Sequence, residues 1–231
     1  MRLSVVLPVH SERESLVFIT DKLATLLGDK LHEAIFIVSP SSPGETFAVI
    51  EELGKKYPFV RSETQRETPG LGRAVRQGLA AATGTHVLMM DSDGEMNPET
   101  VPLMIAKMEE TGCDVVVGSR WAAGGGVVGY SPFKYILNRG FQCIFRTLYR
   151  THVHDLTLGF KLVKTEVVKN IAWDSTLHEI AAETTLRPMK KGYRVEEVPT
   201  VWVRRQAGTS KNPFRRNFRY VAKALQILLG R

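Results

Sequence analysis

The chain has 231 residues, 43% of them hydrophobic, with a net charge of +7 and a pI near 9.5. That length and apolar content suit one large α/β domain with a real core and exclude wholesale disorder. No run of 18 apolar residues occurs, which excludes a membrane-spanning helix, and the positive charge calls for an anionic partner.

The opening MRLSVVLPV has one Arg, an apolar run broken by Pro8 and no small-residue cleavage site, so it reads as a first strand rather than a signal peptide. Residues 3–9, 34–38, 59–62, 86–90 and 114–118 read as strands: short, largely continuous apolar runs rich in Val and Ile, as in strands buried on both faces. Helical patterns lie between them, at 12–28, 45–56, 72–82 and 98–111. In the last, Val101, Met104, Ile105 and Met108 fall at helical spacing and Gly112 ends the run. Strand and helix in alternation imply a parallel sheet, with ligands bound outside the carboxyl ends of its strands.

At one such end stands HVLMMDSDGEMNPET, where Asp91, Asp93 and Glu95 are crowded two residues apart. Carboxylates so placed repel unless a cation lies between them, and Mg²⁺ in particular shares its shell with substrate phosphates. The competing reading is an acidic turn capping the next helix through Asn97-Pro98-Glu99. Spacing alone leaves both open.

The second half is less regular. AAGGGVVGYSP, at 122–132, holds four glycines and a proline and reads as a loop. A helix follows at 133–149, a loop through HDLTLGF, helices near 165–170 and 178–191, and a strand near 195–203. From Arg204 to Arg231 there are eight Lys or Arg and no acid. Within that tail Phe214, Phe218, Val221, Leu225 and Leu228 form one apolar stripe, with Arg215, Arg216, Arg219 and Lys223 mostly off it. A basic amphipathic helix of this kind either lies on an anionic membrane surface or packs on its own domain. The expected division is a domain over 1–211 and this helix over 212–231. Cys113 and Cys143 lack metal or redox spacing, which fits a reduced, cytoplasmic setting.

Six fragments in order carry a family resemblance: SVVLPVHSERESL, GLGRAVRQGLAAATGTHVLMMDSDGEMNPE, DVVVGSRWAAGGGV, LNRGF, DLTLGFKL and GYRVEEVPTVWVRRQAGTSK. Together they resemble the family 2 glycosyltransferases of the GT-A fold, most closely the polyprenyl-phosphate or dolichol-phosphate sugar transferases. The resemblance implies a Rossmann-like, mostly parallel central sheet flanked by helices. It also implies inverting transfer of a sugar from a GDP- or UDP-sugar to a polyprenyl phosphate or other lipid-linked acceptor.

Asp91 and Asp93 would hold Mg²⁺ or Mn²⁺ against the donor diphosphate, with Glu95, where relatives often have Gln, beside them. Pro8, His10, Glu12 and Ser39 would border the nucleoside, and Gly70 and Gly72 would let backbone approach it. The latter pair is not a dinucleotide fingerprint, because the third glycine would fall at Val75. Arg120 and Arg205 would meet phosphate near the metal, and Arg120, Lys134, Asn138, Arg139 and Lys211 would hold the acceptor phosphate. Charge growing on a departing diphosphate needs such a metal and such cations.

A phosphate acceptor needs no general base, whereas a glycan hydroxyl would, with Glu179 and Glu183 as candidates. One departure stands out: Ser39-Pro40 occupy the place where the family usually has acids that read the base and ribose. That leaves room for a catalytically weakened protein of this fold that binds anionic lipid. A nucleotidyltransferase ranks lower, because PVHSERES lacks a glycine-rich triphosphate cradle, and no nucleic-acid recognition motif is present. The expected location is cytoplasmic, peripherally at a membrane, and a chain without spans of its own is compatible with a membrane protein partner.

Overall fold

The computed structural model describes residues 1–204 and 217–230. Its first half follows the expected alternation: β1 (Leu3–Val9), α1 (Glu14–Leu27), β2 (Leu31–Val38), α2 (Gly44–Lys56), β3 (Val60–Thr64), α3 (Leu71–Ala81), β4 (His86–Met89), α4 (Val101–Thr111) and β5 (Val115–Ser119). Asn97 caps the turn that leads into α4, its side chain accepting from Glu99 N at 3.1 Å. Gly112, at φ +65°, closes α4 in the left-handed conformation, its N–H donating to Met108 O. The capping reading of this acidic stretch therefore holds, and it does not compete with a ligand role one turn earlier.

After β5 come β6 (Gly126–Val128), α5 (Pro132–Tyr149), β7 (Lys161–Lys164), α6 (Thr165–Asn170), α7 (Ile180–Lys190), β8 (Val195–Pro199), β9 (Val201–Val203) and α8 (Asn217–Leu228). Seven strands form one sheet in the order β3-β2-β1-β4-β7-β5-β8. All pairings in it are parallel except those of β7, which runs antiparallel between β4 and β5. The loop through HDLTLGF is present, and KLVK after it, to which the sequence reading gave no element, is a central strand, Leu162 and Val163 feeding opposite faces.

Two further departures occur. The glycine-rich segment contains β6, and the single strand expected at 195–203 breaks at Thr200, so that β9 pairs with β6 in a small second sheet. Thr200 makes the break by bonding sideways: its N–H donates to Ser119 O at 2.9 Å and its carbonyl accepts from Gly126 N at 3.1 Å.

Side chains alternate to two cores, as a period of two requires. Leu3, Val5 and Leu7 meet Leu16, Ile19 and Leu23 of α1 and Met104 and Met108 of α4. Val6, Ile35 and Ile37 belong to the other core with Ala74 and Leu79 of α3, and the same core runs on through Val167 of α6 and Leu186 of α7 to Ala224 and Ile227 of α8. Each fully buried Leu or Ile contributes about 1.5–3 kcal/mol, so the sheet is a stiff platform.

The last helix turns a different face inward from the one its stripe predicts. Tyr220, Ala224 and Ile227 face the protein, while Phe218, Val221 and Leu225 are exposed and Leu228 is half-buried. Its charges also turn inward: Lys223 Nζ lies 2.5 Å from Asp174 and Arg219 lies 3.7 Å from Glu179. Phe214, Arg215 and Arg216, and the 211/212 division, lie outside the described residues.

Candidate active site

The carboxyl ends of β1, β2 and β4 converge on one side of the sheet, as the topology requires. Asp91 follows β4 and lines a cavity of about 100 Å³ with Pro8, Met96, Thr157, Gly159, His178, Ala181, Trp202 and Tyr220. Ser92 turns the other way and donates to Pro8 O at 2.5 Å, which ties the end of β4 to β1. Gly94, at φ +79°, makes the bend that lets Asp93 Oδ1 accept from Glu95 N at 3.1 Å. β9 runs beside this bend, Val203 N donating to Glu95 O at 3.0 Å.

Burial, then the charges of Asp93, Glu95 and Glu12, push the Asp91 carboxyl up to about 8, with Lys161 pulling the other way. Among the described residues no three His, Cys, Asp or Glu side chains are gathered into a ready metal cluster, so the expected triad of Asp91, Asp93 and Glu95 is not preformed. The physical reason is like-charge repulsion along one short bend. The donor set nevertheless fits a hard divalent cation: carboxylate oxygens crowded at one strand end, leaving most of a coordination shell to phosphate and water. Asp91 and Asp93 would hold such an ion, with Glu95 alongside.

Several expected residues sit differently from their expectation. Arg120 is buried, and its donors are taken by Asp155 at 2.7 and 2.8 Å, Tyr130 Oη at 2.6 Å and Thr157 Oγ1 at 3.0 Å. Burial works against its charge, but Asp155 outweighs that and holds the guanidinium protonated. Burial would likewise raise the Asp155 carboxyl, yet Arg120 holds it below the usual range. Arg120 is thus no free cation awaiting phosphate. A guanidinium out of water must be paired, and this one is.

Gly70 and Gly72 do not open onto a nucleotide either. A Cβ at Gly72 would lie 2.5 Å from Ser175 O and one at Gly70 2.6 Å from Thr176 O, so their smallness lets α3 approach the 175–177 segment. That segment is held by Glu183, which accepts from Ser175 N at 2.9 Å, and Glu179, which accepts from Leu177 N at 3.1 Å. Glu183 is buried with both oxygens engaged, by Asp174 N and Ser175 N, which leaves it unpoised to deprotonate a hydroxyl acceptor, whereas Glu179 engages one oxygen and its buried Oε2 meets no hydrogen-bond donor among the described residues.

The nucleoside-side residues form a turn and a shelf. Glu12 accepts from His10 N and Ser11 N at 2.6 and 2.9 Å, fixing the loop after β1 with His10 exposed. Buried Ser39 shares a hydrogen bond with Ser41 Oγ at 2.9 Å. On the acceptor side, Lys134 Nζ lies over Tyr130 and Trp202 at 4.2 and 5.0 Å, and Arg139 over Trp121 at 5.2 Å. Asn138 accepts from Trp121 Nε1 and Gln142 Nε2 rather than facing a ligand. Arg205 and Lys211 lie outside the described residues.

A sequence model described as Glycosyl transferase family 2 matches residues 4–172, the stretch from β1 through α6 that includes Asp91, Asp93, Glu95, Arg120 and Asp155. The chain belongs to glycosyl transferase family 2. It is 30% identical over 217 residues to the polyprenol monophosphomannose synthase of Mycolicibacterium smegmatis, covering 91% of this chain and 80% of that one. It is 28% identical to the dolichol-phosphate mannosyltransferase of Pyrococcus furiosus over 99% of its own length, and spans 64% of that relative. Among solved structures it resembles the glucosyl-3-phosphoglycerate synthase of Mycobacterium tuberculosis crystallised with Mn²⁺, UDP and phosphoglyceric acid. There the TM-score is 0.72 at 17% identity, covering 99% of this chain and 78% of that one, a likeness of the GT-A fold.

Within this family 2 framework, four residues at or around the Asp91 cavity were not picked out by sequence reasoning. Asp155 lies inside the DLTLGFKL fragment but matters through its pairing with Arg120, 35 residues away. Gln142 joins α5 to the same knot, donating to Thr157 Oγ1 and accepting from Leu156 N at 2.8 Å. Lys161 is fully buried and donates to Leu158 O and to Ala181 O, the latter at 2.9 Å. Burial brings its ammonium down to about 7, against the pull of Asp155 and Asp91. Tyr220 reaches the cavity from α8; burial pushes its phenol up, with Arg120 pulling against that and Asp91 adding to it.

Proposed function

We propose that this chain transfers a sugar from a GDP- or UDP-sugar to a polyprenyl phosphate, with inversion, at the cytoplasmic surface of a membrane. The observation that carries the reading is the crowding of carboxylates at the end of β4, where Asp93, Glu95 and Glu12 act on Asp91, in a family 2 chain. The names of the two curated relatives, a polyprenol monophosphomannose synthase and a dolichol-phosphate mannosyltransferase, support the lipid phosphate as acceptor.

In this reading Asp91 and Asp93, with Glu95, would hold Mg²⁺ or Mn²⁺, and such an ion would supply charge neutralisation for the diphosphate leaving group. Pro8, His10, Glu12 and the Ser39 shelf border the nucleoside. The Arg120–Asp155 pair does not touch phosphate but fixes the 155–159 loop that faces Asp91. Lys134 and Arg139, the exposed cations at the start of α5, take the acceptor phosphate, whose oxygen is already anionic and needs no base. The engagement of both Glu183 oxygens supports that acceptor over a glycan hydroxyl deprotonated by Glu183. Contact with an anionic membrane is supported by the exposed apolar side chains of α5, Phe133, Ile136, Ile144 and Leu148, together with Phe218, Val221 and Leu225 of α8. A membrane protein partner fits the same surface, and no helix among the described residues is long and apolar enough to cross a bilayer.

The test is direct. Purified protein is incubated with GDP-mannose or UDP-glucose, a short polyprenyl phosphate and Mn²⁺. A glycosylated polyprenyl phosphate that forms with Mn²⁺ and not with chelator is expected. Transfer only to hydroxyl acceptors, or full activity in chelator, would overturn the reading.

A further inference from the structure

The Asp91 cavity has one wall that comes from the far end of the chain. Helix α8 is docked at several points: Ala224 and Ile227 are buried, Tyr149 Oη donates to Ala224 O at 2.7 Å, and Lys223 reaches Asp174, which Arg187 also meets at 3.0 Å. Within this anchored stretch the Tyr220 ring packs edge-on to Phe141 of α5, centroids 6.4 Å apart at 82°. It lines the cavity with Asp91, Thr157, Gly159, His178 and Ala181.

The sheet order gives this wall its meaning. β4 stands between β1, with β2 beyond it, on one side and β7 on the other. The nucleoside-side residues Pro8, His10 and Ser39 close β1 and β2. Thr157 and Gly159 lead into β7, and His178, in the turn before α7, and Tyr220, of α8, line the cavity with them. A nucleotide sugar with its diphosphate at Asp91 and its nucleoside over β1 and β2 must direct its sugar toward β7, where Tyr220 stands.

We propose that Tyr220 is a specificity-determining residue that contacts the transferred sugar, and that α8 is the element that delivers it. The inference rests on the glycosyl-transfer reading above. A phenol suits this role, since its ring is a flat apolar plate for the C–H face of a pyranose and its hydroxyl can bond one sugar hydroxyl. The ion pair of Lys223 with Asp174 makes α8 a part of the site rather than an appended anchor.

Calorimetry separates this role from a structural one. GDP and UDP with Mn²⁺, then GDP-mannose and UDP-glucose with Mn²⁺, are titrated into the wild type, Tyr220→Ala, Tyr220→Phe and Asp174→Asn. Tyr220→Ala should bind the nucleoside diphosphate within about twofold of wild type and the sugar nucleotide about tenfold more weakly, in line with loss of an aromatic contact. Tyr220→Phe, which keeps the ring, should lose about threefold on the sugar nucleotide alone, the scale of one uncharged hydrogen bond, and decides the matter if the Ala variant does not fold. Asp174→Asn should lose less than Tyr220→Ala, in the same direction. Equal losses for both ligands, or none for the sugar nucleotide, would overturn the proposal. Failure of the wild type to bind any of the four with Mn²⁺ would instead overturn glycosyl transfer itself.

Discussion

Two aspartates near the carboxyl edge of the sheet have opposite circumstances. Asp155 is buried and fully matched: Arg120 meets both its oxygens, and Arg120 N, Thr157 N and Leu158 N donate to it as well. Asp91 is partly buried among Asp93, Glu95 and Glu12, with the neighbouring cation Lys161 already bonded to two carbonyls. A satisfied charge is architecture, and an unsatisfied one is an opening for a ligand. The consequences for pH run in opposite directions. Asp155 titrates below its unfolded value near 4, so its stabilisation is present above that value and is lost as pH falls through the folded one. Asp91 titrates above its unfolded value, so its ionisation works against folding as pH rises from about 4 to about 8.

The largest effect tests the carboxylate cluster around Asp91. Asp93→Asn should reduce transfer at least ~1000-fold, about 4 kcal/mol of transition-state stabilisation, while leaving the melting temperature within a few degrees. Unchanged Mn²⁺-dependent donor binding in calorimetry would break the comparison on that side. Asp155→Ala tests the matched member. It leaves Arg120 buried without a partner and should cost about 3–5 kcal/mol in urea unfolding, most of it restored by adding Arg120→Met. A mild loss of stability with a large loss of donor affinity would mean that Arg120 meets phosphate after all.

Gly72→Ala sharpens the point on a smaller scale. The new methyl meets backbone at 2.5 Å, so about 1–3 kcal/mol of stability should go, with nucleotide affinity unchanged in the folded fraction. Smallest in stability is the exposed face of α8. Leu225→Ser with Leu229→Ser should shift unfolding by less than about 0.5 kcal/mol yet reduce sedimentation with anionic vesicles; equal sedimentation would remove α8 from the membrane contact.

The sequence was most legible where strands are continuous apolar runs: VVLPV, AIFIV and HVLMM are strands because both faces of the sheet are covered. KLVK was not, because four residues with a lysine at each end look like loop until Lys161 is seen to find two carbonyls inside the protein. Spacing exposed the Asp91 cluster because its meaning is local. The Arg120 pairing escaped because its meaning is not: composition displays a cation but hides a partner 35 residues on. In α8 the helical period was right and the buried face was not. The stripe through Phe218, Val221 and Leu225 lies beside the one that packs, Tyr220, Ala224 and Ile227, and only the docking of α8 on α7 decides between them.

The antiparallel strand β7 has a consequence for how the molecule assembles. When β5 has been synthesised, five parallel strands exist, but nothing yet joins β4 to β5, because the ribbon that bonds to both is still to come. The amino-terminal four strands can zip together by themselves, whereas β5 and β8 must wait for a long-range closure. Pulse-labelled amide exchange during refolding should therefore show Val5 and Ile35 protected before Val116, and the edge that holds Asp91 complete only once its last neighbour has threaded into the gap.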